Sequence, residues 1–236
     1  MAPGSPFALR SLTPMLVSTF LLSWTGTAIA QIRPDDSLGE ERSRLTPGVN
    51  VRGDLADLIE GGARRGDNLF HSFEDFSVQD LQRVYFANPD GIANILSRIT
   101  GSSRSDILGT LGVDGAANLF LINPNGIVFG PNAVLDVDGA FLASTAEHLI
   151  FDDGSLFSAV DPDAPPLVTV NIPIGVQFGP NPPASIINEA NLEVGGDLTL
   201  AAGTVTNIGN LTAGGQVQVT ETVPAQPQGV SRVYTA

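Results

Sequence analysis

The chain has 236 residues, enough for one domain or two, and carries a formal net charge of −14 from 11 basic residues, all of them arginine, and 25 acidic ones. That balance leaves no basic face for phosphates and excludes a general nucleic-acid binder. The absence of cysteine excludes disulfides, thiolate metal sites and cysteine nucleophiles, and two histidines, His71 and His148, are too few for a multi-histidine metal centre.

The first predicted element is an address. Arg10 precedes an apolar stretch from Leu12 to Trp24, and Ala28 and Ala30 supply the small-x-small pattern of a cleavage site. The stretch is shorter than the roughly 20 residues of a membrane span. Pro14 and the polar switch at Gln31 weigh against a buried helix. Residues 1–30 therefore read as a signal peptide cleaved after Ala30, and the remainder as an exported chain. Its lack of cysteine fits either a core large enough to need no staples or a chain that must stay unlinked to thread a pore.

Residues 31–48 are polar and turn-rich. A helix-like window follows at Asp54 to Ile59, with Leu55, Leu58 and Ile59 on one face and Gly61-Gly62 as its stop. Ile92 to Ile99 could form a helical turn ended by Gly101. Elsewhere the period is two: Leu69, His71 and Phe73 alternate with Phe70, Ser72 and Glu74. Short apolar runs at Leu119–Ile122 and Ile127–Phe129 are closed by Asn123-Pro124-Asn125-Gly126 and Gly130-Pro131-Asn132. Such spacing leaves no room for helices between strands and predicts an all-β chain.

The last third repeats. The frame of Leu192, Val194, Gly195, Gly196, Leu198 and Leu200 recurs 19 residues on at Leu211, Ala213, Gly214, Gly215, Val217 and Val219. Leu135, Val137, Gly139, Phe141 and Ala143 fit the same frame 57 residues before Leu192, three such periods. A period near 20 without helical windows points to a parallel β-helix. One rung cannot bury enough surface to fold alone, so rungs must stack and the ends need caps. Residues 31–100 are the expected cap region, 101–220 the rungs with short extra-helical insertions, and 221–236 a tail or truncation point.

Three blocks carry a resemblance. Residues 66–73, containing Asn68, Leu69, Phe70, His71, Ser72 and Phe73, the block 94–101, and above all 117–130, with Asn123-Pro124-Asn125-Gly126, resemble the two-partner secretion domain of filamentous-haemagglutinin-like exoproteins. The resemblance runs from about Ile32 to about Phe178. It departs from the family where a second Asn-Pro-Asn-Leu element is common and only Asn88-Pro89-Asp90-Gly91 stands, and where Asp138-Gly139-Ala140-Phe141 replaces Gly-Gly-Ser-Phe. The resemblance implies a right-handed β-helix and a protein exported to the cell surface or medium. It also implies a partner, an outer-membrane β-barrel transporter with periplasmic recognition modules, and an adhesin-like exoprotein with a host-cell, surface or carbohydrate ligand. Residues 123–126 and 68–73 are the implied secretion motif.

Each motif also has a plain reading. Asn123-Pro124-Asn125-Gly126 is a good type I turn. His71 in an alternating strand reads as a packed imidazole. His148 and Glu147, as strand neighbours, are expected on opposite faces. Asp152-Asp153-Gly154 with Asp161 and Asp163 matches no calcium loop and reads as a solvated insertion. Arg52-Gly53-Asp54 reads as a chance tripeptide. No catalytic residue, metal site or cofactor is expected. The alternatives to a secretion module are a β-helix polysaccharide lyase or hydrolase and a free-standing surface adhesin; a chain ending at 236 would be a truncated product, a short orphan or a decoy for the transporter.

Overall fold

A computed structural model describes Met1 and residues 32–162 and 173–222. The expected cleavage point after Ala30, Asp163 and residues 223–236 lie outside the described residues. The chain begins with β1 (Ile32–Pro34), a 3-10 turn at Gly39–Glu41, β2 (Ser43–Val51), β3 (Asp54–Gly61), β4 (Ala63–Arg65) and β5 (Asn68–Phe76). It continues with β6 (Arg83–Ala87), β7 (Asn94–Ile99), β8 (Ser105–Ile107), β9 (Thr110–Asp114), β10 (Asn118–Ile122), β11 (Ile127–Phe129), β12 (Val134–Asp136) and β13 (Phe141–Ser144). Next come β14 (His148–Phe151), β15 (Leu156–Ser158) and β16 (Pro173–Gln177). The last strands are β17 (Ser185–Asn188), β18 (Asn191–Val194), β19 (Leu198–Ala202), β20 (Thr204–Asn207), β21 (Asn210–Ala213) and β22 (Val217–Glu221).

Most of these strands pair in parallel with the strand one turn of chain away, which produces stacked walls. The first wall runs β5-β7-β10-β13-β19-β22, the second β3-β6-β9-β12 and the third β8-β11-β17-β20, with β18 and β21 continuing beside β12. The walls share one apolar interior, lined by Leu69, Ile95, Leu119, Phe141 and Leu198 from the first, Val84, Leu111 and Leu135 from the second, and Ile107, Ile127 and Ile186 from the third. This is a β-solenoid. Antiparallel pairs occur among the first described strands, β1 and β4 on β5 and β2 on β3, and in the extra layer where β14 pairs with β15 and β16.

From β5 to β19 the first wall is buried on both faces, which gives apolar residues at successive positions, as in Leu119–Ile122, and also encloses polar ones such as Ser97 and Arg98. Phe70, Leu96, Phe120 and Leu142, in register on its outer side, pack under Leu149, Phe151, Phe157 and Val176 of the β14–β16 layer. Burial fades at the last turn described: Leu198 and Leu200 are sealed, but their partners Val217 and Val219 are nearly half exposed.

Several sequence expectations are corrected. The window 54–59 is strand β3, because hydrogen bonds to β2 on one side and β6 on the other outweigh its helical spacing. Residues 92–99 form a turn and strand β7. Parallel stacking already starts with β3–β6 and β5–β7, inside the stretch expected to be cap. The 57-residue displacement is not three turns: Phe141 pairs directly with Leu198, so it is one turn from which the β14–β16 layer is extruded. The 19-residue repeat holds residue for residue, Leu192 opposite Leu211 and Leu198 opposite Val217.

Candidate functional site

The Asn123–Gly126 segment turns the chain from β10 in the first wall to β11 in the third. Gly126 N–H donates to Asn123 O at 3.1 Å, closing a β-turn. Asn123 is sealed from solvent. Its Nδ2 donates to Ser103 O and to Ser105 Oγ, both at 3.0 Å, on the preceding turn of the solenoid, and its Oδ1 accepts from Asn125 N–H at 2.9 Å. Asn123 N–H reaches Ser144 O on the following turn at 2.9 Å. One residue, through its side chain on the preceding turn and its backbone N–H on the following one, thus fastens the corners of three successive turns. Gly126 has φ +114, and a Cβ there would press on Ser185 O at 3.2 Å. Asn125 is the exposed member, tethered by Nδ2 to Gly101 O at 2.8 Å, and Pro124 is half-buried. The tetrapeptide is therefore both a structural corner and a small exposed surface built of Pro124 and Asn125.

The other block is entirely interior: Asn68, Leu69, Phe70, His71, Ser72 and Phe73 are all buried. Their alternation is the one expected. Leu69, His71 and Phe73 face the interior, while Phe70 packs 4.9 Å from the Phe157 ring on the outer side. Ser43 Oγ accepts from Ser72 N–H and lies 2.9 Å from His71 Nδ1, so one hydrogen bond joins the hydroxyl and the ring. Nε2 has no partner among the described residues. It faces Gly62, whose φ of +88 and lack of a Cβ make room for the ring. Burial without a counter-charge pushes His71 down to about 3, so the imidazole is neutral and packed, as read from the sequence.

Neighbouring motifs resolve in the same way. Asn88-Pro89-Asp90-Gly91 is a turn with Ile92 N–H on Pro89 O at 3.1 Å, but it lies at the corner leading from the second wall into the first. Asn88 Oδ1 accepts from Ala117 N–H on the next turn at 3.1 Å, the same fastening role as Asn123 at a different corner. Glu147 and His148 do approach, with Oε2 3.8 Å from Nε2, contrary to the opposite-faces expectation; Glu147 precedes strand β14, so strand alternation does not apply to it. Burial lowers His148 from its ordinary value, opposed by Glu147 and Asp161. Asp153 Oδ1 accepts from Ser155 N–H at 2.8 Å and shapes an exposed turn. Arg52 stands at the β2–β3 hairpin tip with φ +53, and its guanidinium is fully engaged: 2.6 Å to Asp136, 2.8 Å to Asp138 and 2.9 Å to Val113 O. The tripeptide is a clasp pinning the hairpin to the second wall.

Two constellations escaped the sequence reading. The first is a ladder of asparagines opening successive strands of the first wall: Asn94 Nδ2 donates to Asn68 Oδ1, Asn118 Nδ2 to Asn94 Oδ1, each at 2.9 Å, and Asn118 Oδ1 accepts from Ala140 N–H at 2.8 Å. Its signal is in the sequence, as Asn-Leu-Phe, Asn-Ile-Leu and Asn-Leu-Phe at 68, 94 and 118. The second is a buried arginine, Arg98, with no sequence signal of its own.

Comparison with known proteins agrees with this architecture. The TPS secretion domain family model matches residues 30–230. The heme/hemopexin-binding protein of Haemophilus influenzae is 30% identical over 86 residues, 36% of this chain and 9% of that protein. The HMW1 secretion domain of Haemophilus influenzae superposes with a TM-score of 0.51 at 21% identity, over 77% of this chain and 44% of that one. The filamentous hemagglutinin secretion domain gives 0.33 at 14% identity, over 80% of this chain and 99% of that one. The chain spans less than half the length of the heme/hemopexin-binding protein and of the HMW1 chain. With the family model covering most of its length, the chain belongs to the TPS family of filamentous-haemagglutinin-like secretion domains.

Proposed function

We propose that this domain directs its own secretion by engaging the periplasmic recognition modules of an outer-membrane β-barrel, and that it folds on the far side as a right-handed parallel β-helix. The observation that carries the reading is the family match over residues 30–230. The geometry adds a division of labour. Residues 68–73 are sealed in the folded domain, so a transporter reads them only in the unfolded chain. Pro124 and Asn125 stay accessible after folding. Burial of the first wall on both faces supplies free energy for one-way transit, on the scale of about 5–15 kcal/mol for a marginally stable domain. The module is non-catalytic in this reading, the N-terminal part of an adhesin-like exoprotein whose ligand is a surface or carbohydrate. The ligand of the heme/hemopexin-binding relative is not carried over, because the aligned stretch is 9% of that protein.

The test is fractionation. The full chain is expressed with and without its cognate barrel, and mature protein is quantified in medium and periplasm. Partner-dependent release is expected, together with periplasmic retention of Asn125→Ala. Equal release with and without the barrel overturns the reading, and normal release of Asn125→Ala removes the exposed corner from it. Purified chain tested on acidic and neutral glycans, with and without calcium, is expected to leave them intact; cleavage overturns the non-catalytic assignment.

A further inference from the structure

Arg98 lies on the outer side of the first wall, in β7, and is among the largest fully buried side chains of the protein. Three separate parts of the chain hold it. Nε donates to Ser72 Oγ of β5 at 2.9 Å, Nη2 to Ser37 Oγ in the N-terminal segment at 2.9 Å, and Nη1 to Ser158 O of β15 at 2.7 Å. Phe157 of the same strand places its ring under the guanidinium, 4.4 Å from Cζ. The two serine hydroxyls that accept from Arg98 pass their own hydrogens to one carboxylate: Ser72 to Asp35 Oδ2 at 2.7 Å and Ser37 to Asp35 Oδ1 at 2.5 Å. Thr100 Oγ1 adds a third donor to Asp35 at 2.6 Å. Arg98 and Asp35 are thus linked through two serine hydroxyls, with β15 laid over the guanidinium.

The order of events follows from desolvation. Before the β14–β16 layer docks, Arg98 faces water and is satisfied by it. Docking strips that water away. It is favourable only if protein groups already replace it, since an unsatisfied buried charge is strongly destabilising. The N-terminal segment supplies Ser37 directly, and through Asp35 it orients Ser72. We propose that Arg98 makes closure of the β14–β16 layer conditional on prior placement of the N-terminal segment around Asp35 and Ser37. The consequence, which rests on the export reading above, is a completeness check. The outer layer closes only when residues 35–37 and 157–158, far apart in the chain, stand on the same side of the membrane.

The test is native-state hydrogen exchange on the purified full mature chain, in four forms: wild type, Ser37→Ala, Arg98→Met and the double variant. Ser37→Ala is expected to speed exchange in β14–β16 about tenfold, as loss of one charge-assisted bond allows. With Arg98→Met in place, adding Ser37→Ala is expected to leave β14–β16 exchange unchanged. The proposal is overturned if Ser37→Ala speeds exchange only at residues 32–41, or speeds β14–β16 equally in both backgrounds. Should Arg98→Met fail to fold, Arg98→Lys, which keeps the charge but reaches fewer acceptors, is read by the same criteria. These measurements need no transporter, so their failure is separate from failure of partner-dependent release.

Discussion

Acidification should weaken the domain through one buried side chain. His71 is neutral in the fold and held down to about 3 by burial, whereas the unfolded chain takes up a proton near 6.5. The unfolded state therefore binds more protons between these values. Stability is complete above 6.5 and drains as pH falls towards 3, at about 1.4 kcal/mol per pH unit. From pH 8 to pH 5 the loss through His71 is about 2 kcal/mol, a large share of a domain's margin. The comparison is between wild type and His71→Asn, whose Oδ1 can still accept from Ser43. Urea melts at pH 8, 6.5 and 5 are expected to show wild type losing about 2 kcal/mol more than the variant over that span. Every other side chain is common to the two proteins, so its contribution cancels in the comparison. Equal pH dependence in the two proteins would refute the argument, as would His71 ring resonances titrating near 6.5 in the folded protein.

Three further outcomes are expected. Asn123→Ala leaves the buried Ser105 Oγ short of a donor and the Asn125 N–H short of its acceptor, and should cost about 2–3 kcal/mol in urea melts, against about 1 kcal/mol or less for the exposed Asn125→Ala. Leu81, 91% exposed and held at φ +64, contributes strain without burial; Leu81→Asn should raise stability by about 1 kcal/mol, and an unchanged thermal midpoint would speak against strain there. Gly112 is packed between Tyr85 and Asp136, where a Cβ would come within 2.5 Å of the ring and 2.7 Å of Asp136 O. Gly112→Ala should cost about 1–3 kcal/mol and loosen the Tyr85–Asp136 hydrogen bond, bringing the Tyr85 titration, now raised by burial and that bond, back towards its ordinary range in a spectrophotometric titration.

The solenoid was legible where its turns are regular. The 19-residue frame of Leu192 and Leu211 became the β18–β21 register, and the alternation at 69–73 became interior and exterior sides of β5. Legibility failed where turns vary in length. Asn68 pairs with Asn94 and Asn94 with Asn118, but Phe141 with Leu198, so a fixed period cannot be laid over them and the asparagine ladder stayed hidden. Residues 54–59 show why local pattern is insufficient: Leu55, Leu58 and Ile59 suit a helix face, but the edges of β2 and β6 claim the backbone. At the candidate site, the Asn123 turn could be read from residue types, because Asn, Pro and Gly state their backbone preferences locally. The Arg98 network could not. Its partners at 35, 37, 72 and 158 are united only by the stacking of turns and the docking of β15.

The extruded β14–β16 layer also offers a place at which the fold can carry foreign sequence. The layer is inserted between Ser144 of the first wall and Ser185 of the third, yet the pairing of Phe141–Ser144 with Leu198–Ala201 proceeds without a skipped residue. The register of the wall runs on past the layer, while the outer face of the wall is covered by it. The exposed turn Asp152-Asp153-Gly154 at the edge of that layer is thus the natural place to graft a foreign epitope for display.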